Sequence, residues 1–170
     1  MNLLTGEVSR ALFGEGRIPE AVRQLIDQAQ VAPPGHREAL LWTARASAPD
    51  CLAVYYLLYK LYATQRNLAE AERAARAGLA EAARQAGFDA DWKRVNPRAA
   101  DFSQPGPARF WLFTLKALSF IRLRAGGRHE ARELLDTIRR LDPEDSLGAG
   151  VVDALVEAVV PRPRRDRQRP

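Results

Sequence analysis

Apolar residues recur along this chain at the spacing of an amphipathic helix, and glycines and prolines interrupt that spacing at intervals. Residues at i, i+3, i+4 and i+7 lie on one face of an α-helix, and no long stretch shows the two-residue alternation of a strand. Alanine, leucine, glutamate and arginine dominate the periodic stretches, and all four favour the helix. The sequence therefore predicts an all-α protein.

The breaks divide the chain into about eight predicted helices joined by short loops. Their approximate ranges are 3–13, 19–31, 36–47, 51–65, 68–86, 107–124, 128–141 and 147–160. Asn67 suits the N-cap of the fifth helix. Pro107 suits the first turn of the sixth, where its missing N–H is not needed. Between them, residues 87–106 read as irregular, with a short helical turn near Trp92. Helices of this length with short loops predict antiparallel helical hairpins.

A repeated sequence pattern precedes three of these helices, and it is the strongest signal in the chain. The segments are 16–21, 66–71 and 127–131, each ending in Glu-Ala. A small alanine is needed where the second helix of a hairpin crosses the first closely. Pro33 follows Ala21, and Pro143 follows Ala131, at the same separation (33 − 21 = 143 − 131 = 12). Proline ends a helix, so the chain then turns towards the next unit.

These units resemble the tetratricopeptide-repeat (TPR) family, with units at 2–35, 52–85 and 112–145. The second unit fills the family's large, aromatic and small positions with Tyr55, Leu58, Tyr62 and Ala71. The third does so with Leu115, Leu118, Ala131 and Leu135, but has Arg122 at the aromatic position. The first has Thr5 and Val8 at the large positions. A second phasing, in which 18–51 is a repeat that directly precedes 52–85, stays open.

The resemblance implies one TPR-like domain at 1–160, built as a right-handed solenoid with about eight helices. The segment 48–56, with Asp91-Trp92 further on, also loosely resembles small TPR-like proteins of bacterial nitrogen-fixation loci. That second resemblance implies an accessory role near the assembly of metallocluster or redox enzymes.

A TPR-like array exposes a concave surface formed by the first helix of each hairpin, and such surfaces bind peptides. The candidate partner-binding residues are Tyr56, Lys60, Phe113, Lys116, Phe120 and Trp92. Aromatic rings interleaved with lysines are typical of peptide-binding surfaces. The alternative is that these rings pack against the neighbouring helix. The irregular insertion 86–111 is rich in aromatic residues, and we expect it to act either as a lid over the groove or as a spacer on the convex side.

Catalysis is not expected from this sequence. Cys51 is the only cysteine, which excludes an internal disulfide and a zinc site built from cysteines. It lies at a helix start with no histidine nearby in sequence to act as its base, so a structural thiol is the better interpretation. His36 and His129 lie beside helix starts, where solvent-facing side chains are the simplest explanation. We therefore predict a non-catalytic protein that binds a protein or peptide and holds no cofactor or metal.

The net charge of +5 is concentrated at the end of the chain. Residues 161–170 carry five arginines against one aspartate, which gives +4 and a predicted disordered basic tail. This tail suggests an alternative function as a nucleic-acid-associated protein, although it has no interleaved aromatic residue for base stacking. Neither a signal peptide nor a membrane span is predicted, and a cytoplasmic location is expected. The apolar residues of 147–160 predict either a helix that caps the array or a homodimer interface.

Overall fold

The computed structural model describes residues 18–158, and this part of the chain is all-α, without a strand. It contains seven α-helices and one short 3₁₀ helix. The helices are α1 (Glu20–Val31), α2 (Pro34–Ser47), α3 (Leu52–Thr64), α4 (Leu68–Ala86), α5 (Pro107–Arg124), α6 (Arg128–Leu141) and α7 (Gly150–Ala158), and the 3₁₀ helix spans Trp92–Arg94. The all-α prediction is confirmed. The predicted first helix, 3–13, and the predicted basic tail, 161–170, lie outside the described residues.

Local sequence signals set several helix ends. The side chain of Asn67 accepts a hydrogen bond from the backbone N–H of Glu70 at 3.4 Å, as expected for an N-cap. Gly87 ends α4 with a left-handed φ of 77°, a conformation that costs glycine little. Pro107 occupies the first turn of α5. These three residues lie where the sequence predicted helix boundaries, because capping depends on neighbouring residues alone.

Each helix packs mainly against its neighbours in the sequence, with the most extensive contacts between α4 and α5 and between α3 and α4. Contacts also join α3 to α5 and α5 to α7, two helices apart. Only residues 65–67 join α3 to α4, so these two helices run antiparallel along their shared length. The same holds for α5 and α6, joined by 125–127. Helix α5 therefore lies at the centre of the packed array.

Helix α3 is buried on almost all sides. Residues 52–59 are all buried, and Tyr55 and Tyr56 are only 4% and 6% exposed. The sequence pattern predicted Tyr56 as a partner-binding residue, on a different face of the helix from the core residue Tyr55. Both rings are covered because α2, α4 and α5 all pack against α3. A helix that is apolar all round is buried all round.

The insertion between α4 and α5 packs onto α5 and α6. The rings of Phe88, Phe102 and Trp111 lie within 5.4–6.2 Å of one another, centroid to centroid. Val95 is buried, and its carbonyl oxygen accepts a hydrogen bond from the Arg140 guanidinium of α6 at 3.5 Å. These aromatic residues therefore supply the insertion with a small core of its own, continuous with the main one.

Four charged side chains form an ion-pair network that ties α4, α5 and α6 together. Arg122 on α5 lies 2.8 Å from Glu72 on α4 and 2.7 Å from Glu130 on α6. Arg76 contacts the same two carboxylates at 2.8 and 2.6 Å. Arg122 stands where the TPR resemblance led us to expect an aromatic ring. In this chain the position is occupied by a half-buried arginine that forms ion pairs with two glutamates.

Helix α7 covers the end of the array. Val152 and Val156 are buried, whereas Val151 and Leu155 are 69% and 43% exposed. These exposed residues lie at i and i+4 and share one face. The helix thus packs on α5 and α6 through one side. The predicted homodimer through 147–160 stays a prediction.

Candidate interaction site

The face shared by α3 and α5 is assembled around two aromatic rings. The ring of Tyr56 on α3 lies 5.9 Å from that of Phe113 on α5, tilted by 49°. Tyr56 also contacts Tyr59 edge-on at 5.5 Å. Phe113 and Phe120 are half-buried, seven residues apart, and so lie on one side of α5. The predicted residues Tyr56 and Phe113 are therefore brought together, with Phe120 two turns further along.

Two cations lie against these rings. The Lys60 ammonium donates a hydrogen bond to Tyr56 Oη at 3.2 Å and lies 5.3 Å from the centre of its ring. The Arg124 guanidinium lies 5.6 Å from the centre of the Phe120 ring. The Arg124 guanidinium is attracted by the negative face of the Phe120 ring, whereas Lys60 is held through its hydrogen bond to the Tyr56 hydroxyl. Neither cation has a carboxylate within ion-pair distance in the part of the chain that the structure describes. We call the surface formed by Lys60, Phe113, Phe120 and Arg124 the α3–α5 face.

The sequences of α3 and α5 contain no aspartate or glutamate. Their charged residues are Lys60, Arg109, Lys116, Arg122 and Arg124. The neighbouring helices α4 and α6 do contain acidic residues, and these pair with arginines and a lysine. The α3–α5 face is consequently positive, and charge complementarity favours an acidic partner.

Two of the predicted binding residues are held elsewhere. The Lys116 ammonium donates a hydrogen bond to the backbone carbonyl of Leu147 at 2.5 Å, which fixes the loop before α7. Trp92 lies in the 3₁₀ helix under the ammonium of Lys93, which in turn pairs with Glu133 of α6 at 2.9 Å. Trp92 thus belongs to the surface beside α6 and has no ring contact with Tyr56 or Phe113.

Burial limits the direct role of Tyr56. With 6% of its surface exposed, the ring can support Phe113 and Lys60 but offers little area to a partner. Arg124, by contrast, was not among the predicted residues and is exposed. Its position four residues after Phe120 was the available signal, since residues at i and i+4 lie side by side on a helix.

Within residues 18–158, the side chains capable of catalysis or metal binding do not come together in one site. Burial raises the pKa of the Cys51 thiol, and this effect outweighs the backbone hydrogen bonds that favour the thiolate. His129 is 93% exposed, with Nε2 3.8 Å from Glu133. Within residues 18–158, no three side chains of the metal-binding types lie close enough together to hold an ion. None of the helices described combines the length and apolar character that crossing a bilayer requires.

A comparison with protein-family models found no match, and searches of curated proteins and of solved structures also found no significant match.

Proposed function

We propose that this chain is a non-catalytic adaptor of TPR-like architecture, a right-handed helical solenoid that binds an acidic peptide segment of a protein partner on its α3–α5 face. The architecture is supported by the repeated pattern and by the alanines in it. Ala71 and Ala131 are fully buried where α4 and α6 begin. Contacts between α3 and α5, and between α5 and α7, support this architecture, because stacked hairpins would bring alternate helices together.

The observation that carries the proposal is that two half-exposed phenylalanines lie beside two cations that have no acidic partner among residues 18–158. Phe113 and Phe120 offer an apolar surface at the centre of the face. Lys60 and Arg124 flank it, and each already lies against an aromatic ring that restricts its motion. Held side chains lose less entropy on binding, which favours their use in recognition. The matching partner carries aspartate or glutamate next to an apolar anchor.

The test is a selection from a random peptide library displayed on phage, with the purified chain as bait. We expect enriched peptides to combine acidic residues with an aromatic or aliphatic anchor. Selected peptides are then synthesised and titrated against three variants: Lys60→Gln with Arg124→Gln, Phe120→Ala, and the control Lys93→Gln with Arg94→Gln. The control removes the same charge from the surface beside α6.

We expect the Lys60/Arg124 variant to lose about tenfold in affinity and most of the salt dependence, and Phe120→Ala to lose a similar amount. The control should bind as the wild type does. Equal losses in the control and the Lys60/Arg124 variant would show that net charge alone attracts the peptides, and the α3–α5 face would then be rejected.

The nucleic-acid alternative depends on residues 161–170, which lie outside the described part of the chain. Single-stranded RNA added as a competitor separates the two functions. If RNA displaces the peptides, and if deletion of residues 161–170 abolishes that displacement, the nucleic-acid function would be favoured.

A further inference from the structure

Two stripes of side chains, one on α3 and one on α5, face each other across the surface between these helices. The α3 stripe consists of Tyr56, Lys60 and Ala63, and the α5 stripe consists of Phe113, Ala117, Phe120 and Arg124. Tyr56 is buried, Arg124 is exposed, and the other five are half-buried. Each stripe advances by alternating steps of three and four residues. Such steps keep side chains on one side of a helix, and they are the spacing at which helices pack lengthwise.

A groove separates the two stripes. Helices α3 and α5 both pack extensively on α4 but contact each other only sparsely. The rings of Tyr56 and Phe113 meet at the floor, with centroids 5.9 Å apart. Ala63 and Ala117 are the small residues of the walls, and small side chains let a further helix axis approach to about 8–10 Å. We call this feature the α3–α5 groove.

The spacing along the groove favours a helix as its occupant. Phe113 and Phe120 are one heptad apart, which is about 10.5 Å along α5. A helix lying alongside repeats its apolar residues over the same distance. Side chains on one face of an extended strand repeat about every 6.8 Å, so a strand in register with one phenylalanine is out of register with the other. The walls are also helical, so they offer a strand no ladder of backbone hydrogen bonds.

Helices α3 and α5 run in the same direction along the groove. A Cβ added to Gly78 of α4 would lie 3.0 Å from Tyr55 Cβ and 3.7 Å from Phe110 Cε1, so the first turns of α3 and α5 lie level with each other. Arg122, near the end of α5, instead contacts Glu72 near the start of α4. Both helices are therefore antiparallel to α4 and parallel to each other.

The unpaired positive charge lies at one end of this groove. Lys60 lies four residues before the end of α3, and Arg124 is the last residue of α5. Arg109, in the first turn of α5, is held by the Phe102 carbonyl at 3.3 Å and by Ser146 Oγ at 2.8 Å. A helix favours acidic residues in its own first turn, where its dipole is positive. An occupant antiparallel to α5 therefore brings that turn to Lys60 and Arg124.

We propose that the acidic partner segment binds as an amphipathic α-helix in the α3–α5 groove, antiparallel to α5, with the acidic residues of its first turn against Lys60 and Arg124. This inference rests on the function proposed above and adds the conformation and direction of the occupant. The stripe from Phe113 to Arg124 is about 16 Å long, so the contact extends over about three turns. The apolar side of the occupant packs on Phe113, Ala117 and Phe120.

The experiment titrates three synthetic peptides against the full chain by fluorescence anisotropy. All have 18 residues, the length of α5, with leucines at heptad spacing and glutamine or alanine elsewhere. The first peptide carries glutamates in its first turn, and the second carries the same number in its last turn. The third is the first peptide with one central glutamine replaced by proline, which breaks a helix but keeps the charges and the leucines.

We expect the first peptide to bind at least about tenfold more tightly than each of the other two. Its advantage over the second should disappear in Lys60→Gln with Arg124→Gln, because this variant removes the cations and leaves any difference in peptide helicity unchanged. Ala117→Gln places a long side chain in the groove and should weaken binding of the first peptide about tenfold. The control Ala46→Gln, on the exposed side of α2, should not.

Each part of the inference has its own contrary result. Equal binding of the first and second peptides would overturn the direction, and undiminished binding of the proline peptide would overturn the helical conformation. If none of the three binds, the helix proposal is overturned as a whole. The proposed function is then decided separately by the phage-selected peptides: it stands if they depend on Lys60 and Arg124 while tolerating a central proline, and it fails if they depend on neither cation.

Discussion

The ion-pair network around Arg122 gives the sharpest prediction about stability. Arg122→Gln keeps a polar side chain of similar reach but removes the charge that bridges Glu72 and Glu130. Both carboxylates retain Arg76, so neither is left without a cation. The variant therefore measures the link between α5 and its two neighbours without stranding a buried charge.

The magnitude follows from the exposure of the side chains. Arg122, Glu72 and Glu130 are 22–26% exposed, so each pair lies between a surface ion pair and a buried one. At about 0.5–1 kcal/mol for each of the two lost contacts, Arg122→Gln should lower the free energy of unfolding by about 1–2 kcal/mol. For a chain of this size, that corresponds to a fall in Tm of about 3–8 °C.

Urea unfolding followed by far-UV circular dichroism measures this difference directly, and repetition in 1 M NaCl should shrink it because salt screens the charges. Arg73→Gln is the control. It removes an arginine of α4 that pairs with Glu70 at 3.1 Å but is itself 75% exposed, so a loss below about 0.5 kcal/mol is expected. If Arg122→Gln is as stable as the wild type at low salt, the network does not hold the three helices together and the reasoning is refuted.

The network also predicts how stability depends on pH. Partial desolvation would raise the pKa of Glu72, but its hydrogen bonds and charge contacts with Arg76 and Arg122 outweigh this and lower the pKa below its usual value of 4.5. A carboxylate with a depressed folded-state pKa stabilises the fold above its unfolded pKa, and this contribution is lost as pH falls through the folded pKa. The wild type should therefore lose stability below about pH 4.5, and Glu72→Gln should lose less over the same window. Parallel curves for the two proteins would contradict this.

Three further substitutions test particular contacts. Gly78→Ala should destabilise by about 1 kcal/mol in a urea titration despite the better helix propensity of alanine, because the new methyl lies 3.0 Å from Tyr55 Cβ and the two helices must separate; a gain in stability would show that they separate freely. Gly127→Ala places a methyl 2.8 Å from Arg122 Cζ and should cost as much as Arg122→Gln, but almost nothing when added to it, as a double-mutant cycle can measure. Alkylation of Cys51 by iodoacetamide should be at least ten times slower in the folded chain than in urea, because burial raises the pKa of the thiol; equal rates would refute this.

Helix positions were predictable because their signals are local. Asn67, Gly87 and Pro107 each specify a helix end through their own side chain or backbone. The choice of Tyr56 as a partner-binding residue was a different kind of inference, since it required knowing how many helices pack against α3. The signal was present in the sequence of α3, which is apolar on every side and therefore fits a central helix better than a surface one.

Contacts between distant residues were beyond the reach of sequence patterns. Lys116 bonds to the carbonyl of Leu147, 31 positions away, and nothing near Lys116 indicates that. The sequence showed that Arg122 occupies a position where the TPR family has an aromatic residue. It did not indicate the ion-pair partner, Glu72, which lies 50 positions earlier. Long-range polar contacts of this kind depend on how helices stack, which periodicity leaves open.

The distribution of charge separates the residues that stabilise this array from those available to a partner. Every acidic residue of α4 and α6 is paired: Glu70, Glu72, Glu81, Glu130, Glu133 and Asp136. Helices α3 and α5 have no acidic residue, so Lys60 and Arg124 cannot be neutralised from their own helices. If partner binding uses them, its salt dependence arises from residues that contribute little to folding. Stability and binding should then respond to different substitutions: Arg122→Gln alters the first and leaves the second, and Lys60→Gln with Arg124→Gln does the reverse.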